Sequence, residues 1–358
     1  MYTALLFLLL LGAFFLTLSG LNKNKRGRAL AGIILGVATV GFFVFLEFWG
    51  EFLWFDSLGY SERFITRIEA MLGYTLVGGF IGWAVVWLLS RSFPRAWRNP
   101  RRWVQLGGGV IGLLWGLNAW RTVWIYANSV STQVSDPIFA KDVGFYIFDL
   151  PFYNSLISLF VLLVLFTLAV AAAIWIDSSR EGGLEELLRT GRTAKPLTAA
   201  LPVGPVYLCA AILLVLIGAS AFLGRYEFMF SSTGVVTGAG WTDVNIRIPL
   251  YTFMAVLCLI LAAILLIPAT RSRLQGLMRR LPLQNVDPHL LGLGAVAALL
   301  IVCWVALIGI LPAAFQQLRV EPNEITFEKP YIQNNIEYTR QGFNLQKSEA
   351  RQFPASER

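Results

Sequence analysis

Long uncharged runs alternate with short polar loops along this chain. Eight of the runs, at about 18–25 residues each, are long enough to cross a bilayer core as helices. They are Tyr2–Ser19, Ala29–Leu46, Ala70–Ser90, Trp103–Trp120, Leu150–Ile176, Val206–Leu223, Ile248–Thr270 and Leu290–Pro312. Inside hydrocarbon every backbone N–H and C=O must find a partner within the protein. The pattern therefore predicts an all-α membrane protein, a polytopic helical bundle of about eight transmembrane helices over residues 1–312. Residues 313–358 differ: they show no apolar periodicity, alternate in charge, and contain Pro322, Pro330 and Pro354. About 45 such residues bury little core of their own. This tail is expected to be disordered or completed by something else, as the stump of a larger domain or a partner-binding segment.

Charge adds an orientation. Seventeen of the 29 Lys and Arg fall in four loops, after the first, third, fifth and seventh runs. Lys23–Arg28, Arg91–Arg102, Arg180–Lys195 and Arg271–Arg280 bound these clusters. The intervening loops hold Arg63, Arg67, Arg121, Lys141, Arg225 and Arg247 amid more numerous acids. By the positive-inside rule the four rich loops are cytoplasmic and both termini are extracytoplasmic. The net charge of +8 is then a topological bias rather than a nucleic-acid surface. The first run has no positive residue before it and no small-x-small cleavage site after it, so a retained helix is expected rather than a cleaved signal.

Composition limits the chemistry. Cys209, Cys258 and Cys303 sit singly in different runs and read as buried small hydrophobes. His289, the one histidine, lies beside Pro288 at an expected interface; one histidine builds no His-rich metal or bis-histidine haem site. No G-x-G-x-x-G or Walker pattern opens a helix after a strand, and no cofactor is expected. The two halves show no internal repeat, which weighs against an inverted-repeat transporter. Arg271–Leu283 places Leu274, Leu277, Met278 and Leu281 on one helical stripe, as a surface helix on the inner leaflet would. Gly183–Arg189 repeats the idea weakly.

The expected outward loops carry the most specific sequence. They read LWFDSLGY over 53–60, DPIFAKDVGFYIFDLPFY over 136–153 and GVVTGAGWTDV over 234–244. The tail adds PNEI from Pro322, EKPYI from Glu328, and Asn335-Ile336 through Thr339-Arg340. Together these resemble the hallmark segments of a large bacterial membrane-protein family known only as uncharacterised protein family 0182. The resemblance covers roughly Phe42 to Leu345. It implies about seven helices followed by a large extracytoplasmic domain, in the bacterial plasma (inner) membrane, with no established reaction. This chain departs from that pattern with an additional N-terminal helix and by ending where the large domain would begin.

Read from the residues alone, the loops are aromatic and acidic. Trp54, Phe55, Tyr60, Phe145, Tyr146, Phe148, Phe152 and Tyr153 suit an aromatic belt at the outer headgroups, or a cap over the mouth of the bundle. Asp56, Asp136, Asp142, Asp149 and Asp243 share that side. Convergent carboxylates could hold Ca²⁺, with Asp136, Asp142 and Asp243 the candidates, although no EF-hand spacing is present. Turn and helix-cap roles are the alternative, since Asp136 precedes a proline and Asp149 precedes Leu150-Pro151. Glu47 and Arg121, near the outward ends of their helices, are expected to pair or to snorkel, with Asn118 one turn before Arg121. Trp241, Tyr331 and Arg340 complete the residues expected to hold structure or meet a partner.

No catalytic constellation emerges, so an enzyme is not expected. The favoured reading is a non-catalytic scaffold or anchor that contacts membrane lipids and presents its outer loops and tail to an extracytoplasmic protein subunit. A transporter or channel is the alternative; it would need mid-depth acidic sites, which the runs lack. An envelope-lipid enzyme built on the outer aspartates would lack a His-assisted acid–base pair.

Overall fold

A computed structural model of the chain describes residues 2–93, 98–178, 203–280 and 287–348. All eight apolar runs begin as helix, and no strand forms among the described residues beyond one isolated bridge between Ser135 and Asp142. The helices are α1 Tyr2–Asn22, α2 Arg26–Ser57, α3 Ser61–Ser90, α4 Arg98–Ala127 and α5 Leu150–Ser178. They continue as α6 Val203–Glu227, α7 Ile248–Leu266, α8 Pro268–Met278, α9 Pro288–Cys303 and α10 Glu324–Gly342. Seven described stretches are long and apolar enough to cross a membrane. Of the eight apolar runs, the one outside that set lies on α4, where Gln105, Asn118, glycines and tryptophans dilute the apolar residues. The seventh run ends early, at Leu266, because Ile267 is held extended (ψ 120°) before Pro268.

The chain divides at Gly73, within α3, into two compact units. In the first, Met1–Gly73, LWFDSLGY is the end of α2: Leu58 caps the helix and Gly59 turns the chain at φ +75°. Phe64, 1% exposed, sits among the rings of Phe48, Phe52 and Phe55 at 5.3–5.6 Å, and Arg67 pairs with Glu51 at 2.5 Å.

The second unit holds the larger core. Along α3 and α4, Gly78 and Gly82 face Gly112 and Gly108 so closely that a Cβ on Gly112 would overlap the Gly78 carbonyl. Val86, Val104, Leu159 and Leu163 join α3, α4 and α5; Tyr207, Ala211, Leu261, Leu265 and Val296 join α6, α7 and α9. Cys209 and Cys258 are fully buried and Cys303 partly so, all as free thiols. Large apolar side chains such as Phe7, Phe80, Ile260 and Val302 are exposed along the spans, as contact with lipid requires.

Three sequence expectations change. The surface helix begins at Pro268 rather than Arg271, and its stripe packs inward: Leu274 meets the Tyr207 cluster and Met278 is buried, leaving Leu277 exposed. Leu281 and the Gly183–Arg189 segment lie outside the described residues. His289 is tied down rather than merely interfacial, with Nδ1 2.9 Å from Gln275 Nε2 and 3.4 Å from the Tyr207 hydroxyl. The tail is helical through Gly342. After α9 the backbone passes through a π turn (Trp304–Ile310), a short α turn (Leu311–Phe315) and a second π turn (Gln316–Val320) before α10.

Candidate functional site

Asp136 and Asp142 organise the loop before α5. Asp136, 5% exposed, accepts from the N–H groups of Ile138 (2.9 Å), Phe139 (2.6 Å) and Lys141 (2.8 Å) and from the Tyr146 hydroxyl (2.8 Å). Four donors fill the lone-pair sites of one carboxylate. Asp142 accepts from the Ser131 and Thr132 hydroxyls and from the N–H groups of Thr132, Gln133 and Gly144. The Ser131 hydroxyl, at 2.6 Å, does most to hold the Asp142 carboxyl well below the usual carboxylate range; burial opposes it. A cation brought to either group would have to compete with these hydrogen bonds. Asp136 and Asp142 therefore act as turn and helix-start residues, Asp142 capping the helical turn that leads into Tyr146.

That turn is a π turn, Phe145–Asp149, and a second one, Asp243–Arg247, opens α7. The first lies on a hallmark segment and the second starts at the end of one. The first buries Tyr146 and the second buries Asp243. Asp243, 1% exposed, pairs with Arg247 at 2.7 Å and accepts from Gly240 N–H at 3.2 Å. Beside it Thr242 donates to Gln316 Oε1 at 2.5 Å.

Glu328 of α10 closes this cluster. It is 1% exposed; Oε1 accepts from Trp241 N–H at 3.1 Å, and Oε2 has no hydrogen-bond partner among the described residues. A Cβ on Gly240 would stand 3.0 Å from both carboxylate oxygens, so glycine is what lets the acid approach this backbone. Burial pushes the Glu328 carboxyl above the usual range, against the Trp241 N–H and with the charges of Asp243 and Glu324. The Trp241 ring lies against Phe327 (centroids 5.1 Å), with the Arg319 guanidinium 5.7 Å away.

Further along α10, Tyr331 accepts from Asn245 at 3.3 Å and Asn335 donates to the Thr237 carbonyl at 2.8 Å. The Tyr338 hydroxyl donates to the Ser135 carbonyl. One face of α10 thus clamps both hallmark loops. Between loops and helix lies a cavity of about 320 Å³.

The structure brings Asp136, Asp142, Tyr146, Trp241, Asp243 and Tyr331 into this assembly. Arg340 is exposed in the last turn of α10. Trp54, 59% exposed, lies edge-on to Phe55 in the first unit. Glu47 belongs to the same unit, beside a groove lined by Leu6, Leu10 and Val40. Arg121 stands 5.4 Å over the Trp120 ring in the second unit, and the Asn118 amide donates within its own helix to Leu114 at 2.7 Å. Sequence reasoning missed Gln316, Glu328, Asn335 and Tyr338 as contacts. The signal for the last three was their i, i+7, i+10 spacing on one helical face.

Apolar helices with lipid-suited exteriors define a polytopic α-helical membrane protein with an ordered loop assembly on one unit. The chain belongs to the uncharacterised protein family UPF0182, whose family model matches residues 28–358. It is 32% identical to a UPF0182 protein of Kocuria rhizophila, over 94% of this chain and 34% of that protein. It is 30% identical to relatives from Tropheryma whipplei (89% of this chain, 33% of the relative) and Synechococcus (93% and 38%). The chain thus spans about a third of the length of these curated relatives. No solved structure matches it.

Proposed function

We propose that this chain is a membrane anchor of the plasma membrane whose loop–α10 assembly is a docking platform for an extracytoplasmic protein domain or subunit. One observation carries the reading. While Glu328, Tyr331, Asn335 and Tyr338 bind the loops, Leu318, Ile325 and Phe343 are 80%, 81% and 76% exposed on the same stretch of chain. Large apolar side chains held out at the two ends of a docked helix are what a protein partner buries. The relatives extend well beyond the stretch that this chain matches, which supports a docked body of domain size, on the same chain or another. The charge asymmetry of the loops supports an extracytoplasmic position for the platform.

The test is purification of the full chain from its membranes in a mild detergent. A co-purifying extracytoplasmic protein is expected, and the double variant Ile325→Glu/Phe343→Glu should release it without lowering the melting temperature. Purification as a lone chain, with unchanged behaviour of the variant, sinks the reading. A cysteine placed at Asn344 should react with a membrane-impermeant thiol reagent in intact cells; protection there until the cells are lysed would reverse the orientation.

A further inference from the structure

We infer that the cavity between the hallmark loops and α10 is a binding site for a neutral, single-chain amphiphile. At about 320 Å³ it has the volume of a small-ligand site, at the low end of the range of ~300–1,000 Å³. It is built to stay open. The Val236–Ala239 wall is made of small side chains around Gly238, which sits at φ +130°, where larger residues are strained.

The lining sets the ligand's chemistry. Most of it is carbon, from Pro137, Ile138, Val143, Phe230 and Val236 among others, so the occupant carries an apolar chain. Asp136 is the one charged residue on the wall among the described residues, and its carboxylate is already filled by four donors. An anion would meet that charge unbalanced, and a cation would find no free lone pair. The occupant is therefore uncharged.

It also has a polar end. Asn334 lines the cavity, and its side-chain amide makes no hydrogen bond among the described residues. Tyr331 accepts from Asn245, which leaves its hydroxyl proton free to donate. A hydroxyl or ester group held by these two while the chain lies along the loop wall satisfies both. Tyr146 and Ile147 line the cavity and belong to the first turn of a membrane-spanning stretch, a level at which a lipid-like chain is available. This assignment does not rest on the docking platform proposed above.

The test uses 1-decanoylglycerol as probe and decanoate as its charged counterpart, with the full chain in detergent followed by native mass spectrometry. A saturable one-to-one complex is expected with the glyceride, with decanoate at neutral pH binding about tenfold more weakly or worse. Asn334→Leu and Tyr331→Phe should each weaken the glyceride by about tenfold. Val236→Phe, which fills the cavity, should abolish binding. Circular dichroism and thermal melting of the three variants check that each still folds.

A neutral lipid that co-purifies with the wild type and is lost from Val236→Phe places the source in the membrane. A probe complex with no co-purified mass points to a soluble amphiphile. Either supports the site. Absence of both, equal binding of decanoate, or full binding by all three folded variants overturns it.

Discussion

Glu328 accepts a hydrogen bond from the backbone N–H of Trp241 at 3.1 Å across a separation of 87 residues, and its second oxygen is buried with no hydrogen-bond partner among the described residues. With the hydrogen bonds of Asn335 and Tyr338, this contact docks α10 onto loops that precede membrane-spanning segments. It also leaves half of a carboxylate uncompensated, which sets its pH behaviour.

Because burial raises the folded pKa of Glu328 above its unfolded value, the folded state holds the proton more tightly. Its contribution to stability is fully present below the unfolded value of about 4.3 and is lost as pH rises through the folded pKa. Docking of α10 should therefore weaken on going from acid toward neutral pH. Glu328→Gln should abolish this dependence and match or exceed the wild type at neutral pH. Hydrogen exchange of residues 324–342 across a pH series is the measurement, corrected for intrinsic exchange.

Gly240→Val should undock α10 while the bundle persists. Its Cβ would press on both Glu328 oxygens at 3.0 Å, and the branch leaves the carboxylate no room. Overpacking of this kind costs about 1–3 kcal/mol. Limited proteolysis should cut within α10 in the variant and spare the wild type under the same conditions.

Asp142 titrates in the opposite sense. Its folded pKa is depressed, so the order it gives the loop is present above the unfolded value of about 3.9 and disappears as pH falls through the folded one. The 131–145 loop should stay protected from exchange at mildly acidic pH. Asp142→Asn, which turns an N–H₂ toward groups that donate, should lose that protection at every pH.

Gly112→Ile should force α3 and α4 apart at the Gly78 carbonyl and lower stability by about 1–3 kcal/mol. Phe64→Ala should lower it by about 3 kcal/mol through the cavity left among Phe48, Phe52 and Phe55. Thermal unfolding in one detergent compares both with the wild type.

The membrane helices were legible because hydrocarbon admits so few solutions: an uncharged run of the right length becomes a helix. Asp136, Asp142, Tyr146, Trp241 and Asp243 were also visible, as members of unusual loops. What those loops close upon was not. Residues 324–342 show no apolar stripe because their bound face is polar and aromatic, with Glu328, Tyr331, Asn335 and Tyr338 in place of leucines. Hydropathy cannot see a helix held by hydrogen bonds to another segment's backbone. Pro330 masked it further, although a proline is accommodated within α10. Nor does the spacing of the aspartates reveal that the loops themselves donate the hydrogen bonds that Asp136 and Asp142 accept.

The π turn at Phe145–Asp149 gives the start of α5 one residue more than an α-helical turn holds. Since each helical residue turns the chain by about 100°, deleting one residue here would swing everything before it around the helix axis. Tyr146 would lose Asp136, and the whole DPIFAKDVGFYIF segment would be re-aimed without a change in its composition. Spacing between this loop and its helix should thus drift far less among kindred sequences than the identities of the residues that occupy it. A single-codon gap at this point would mark a lineage in which the loop meets something else.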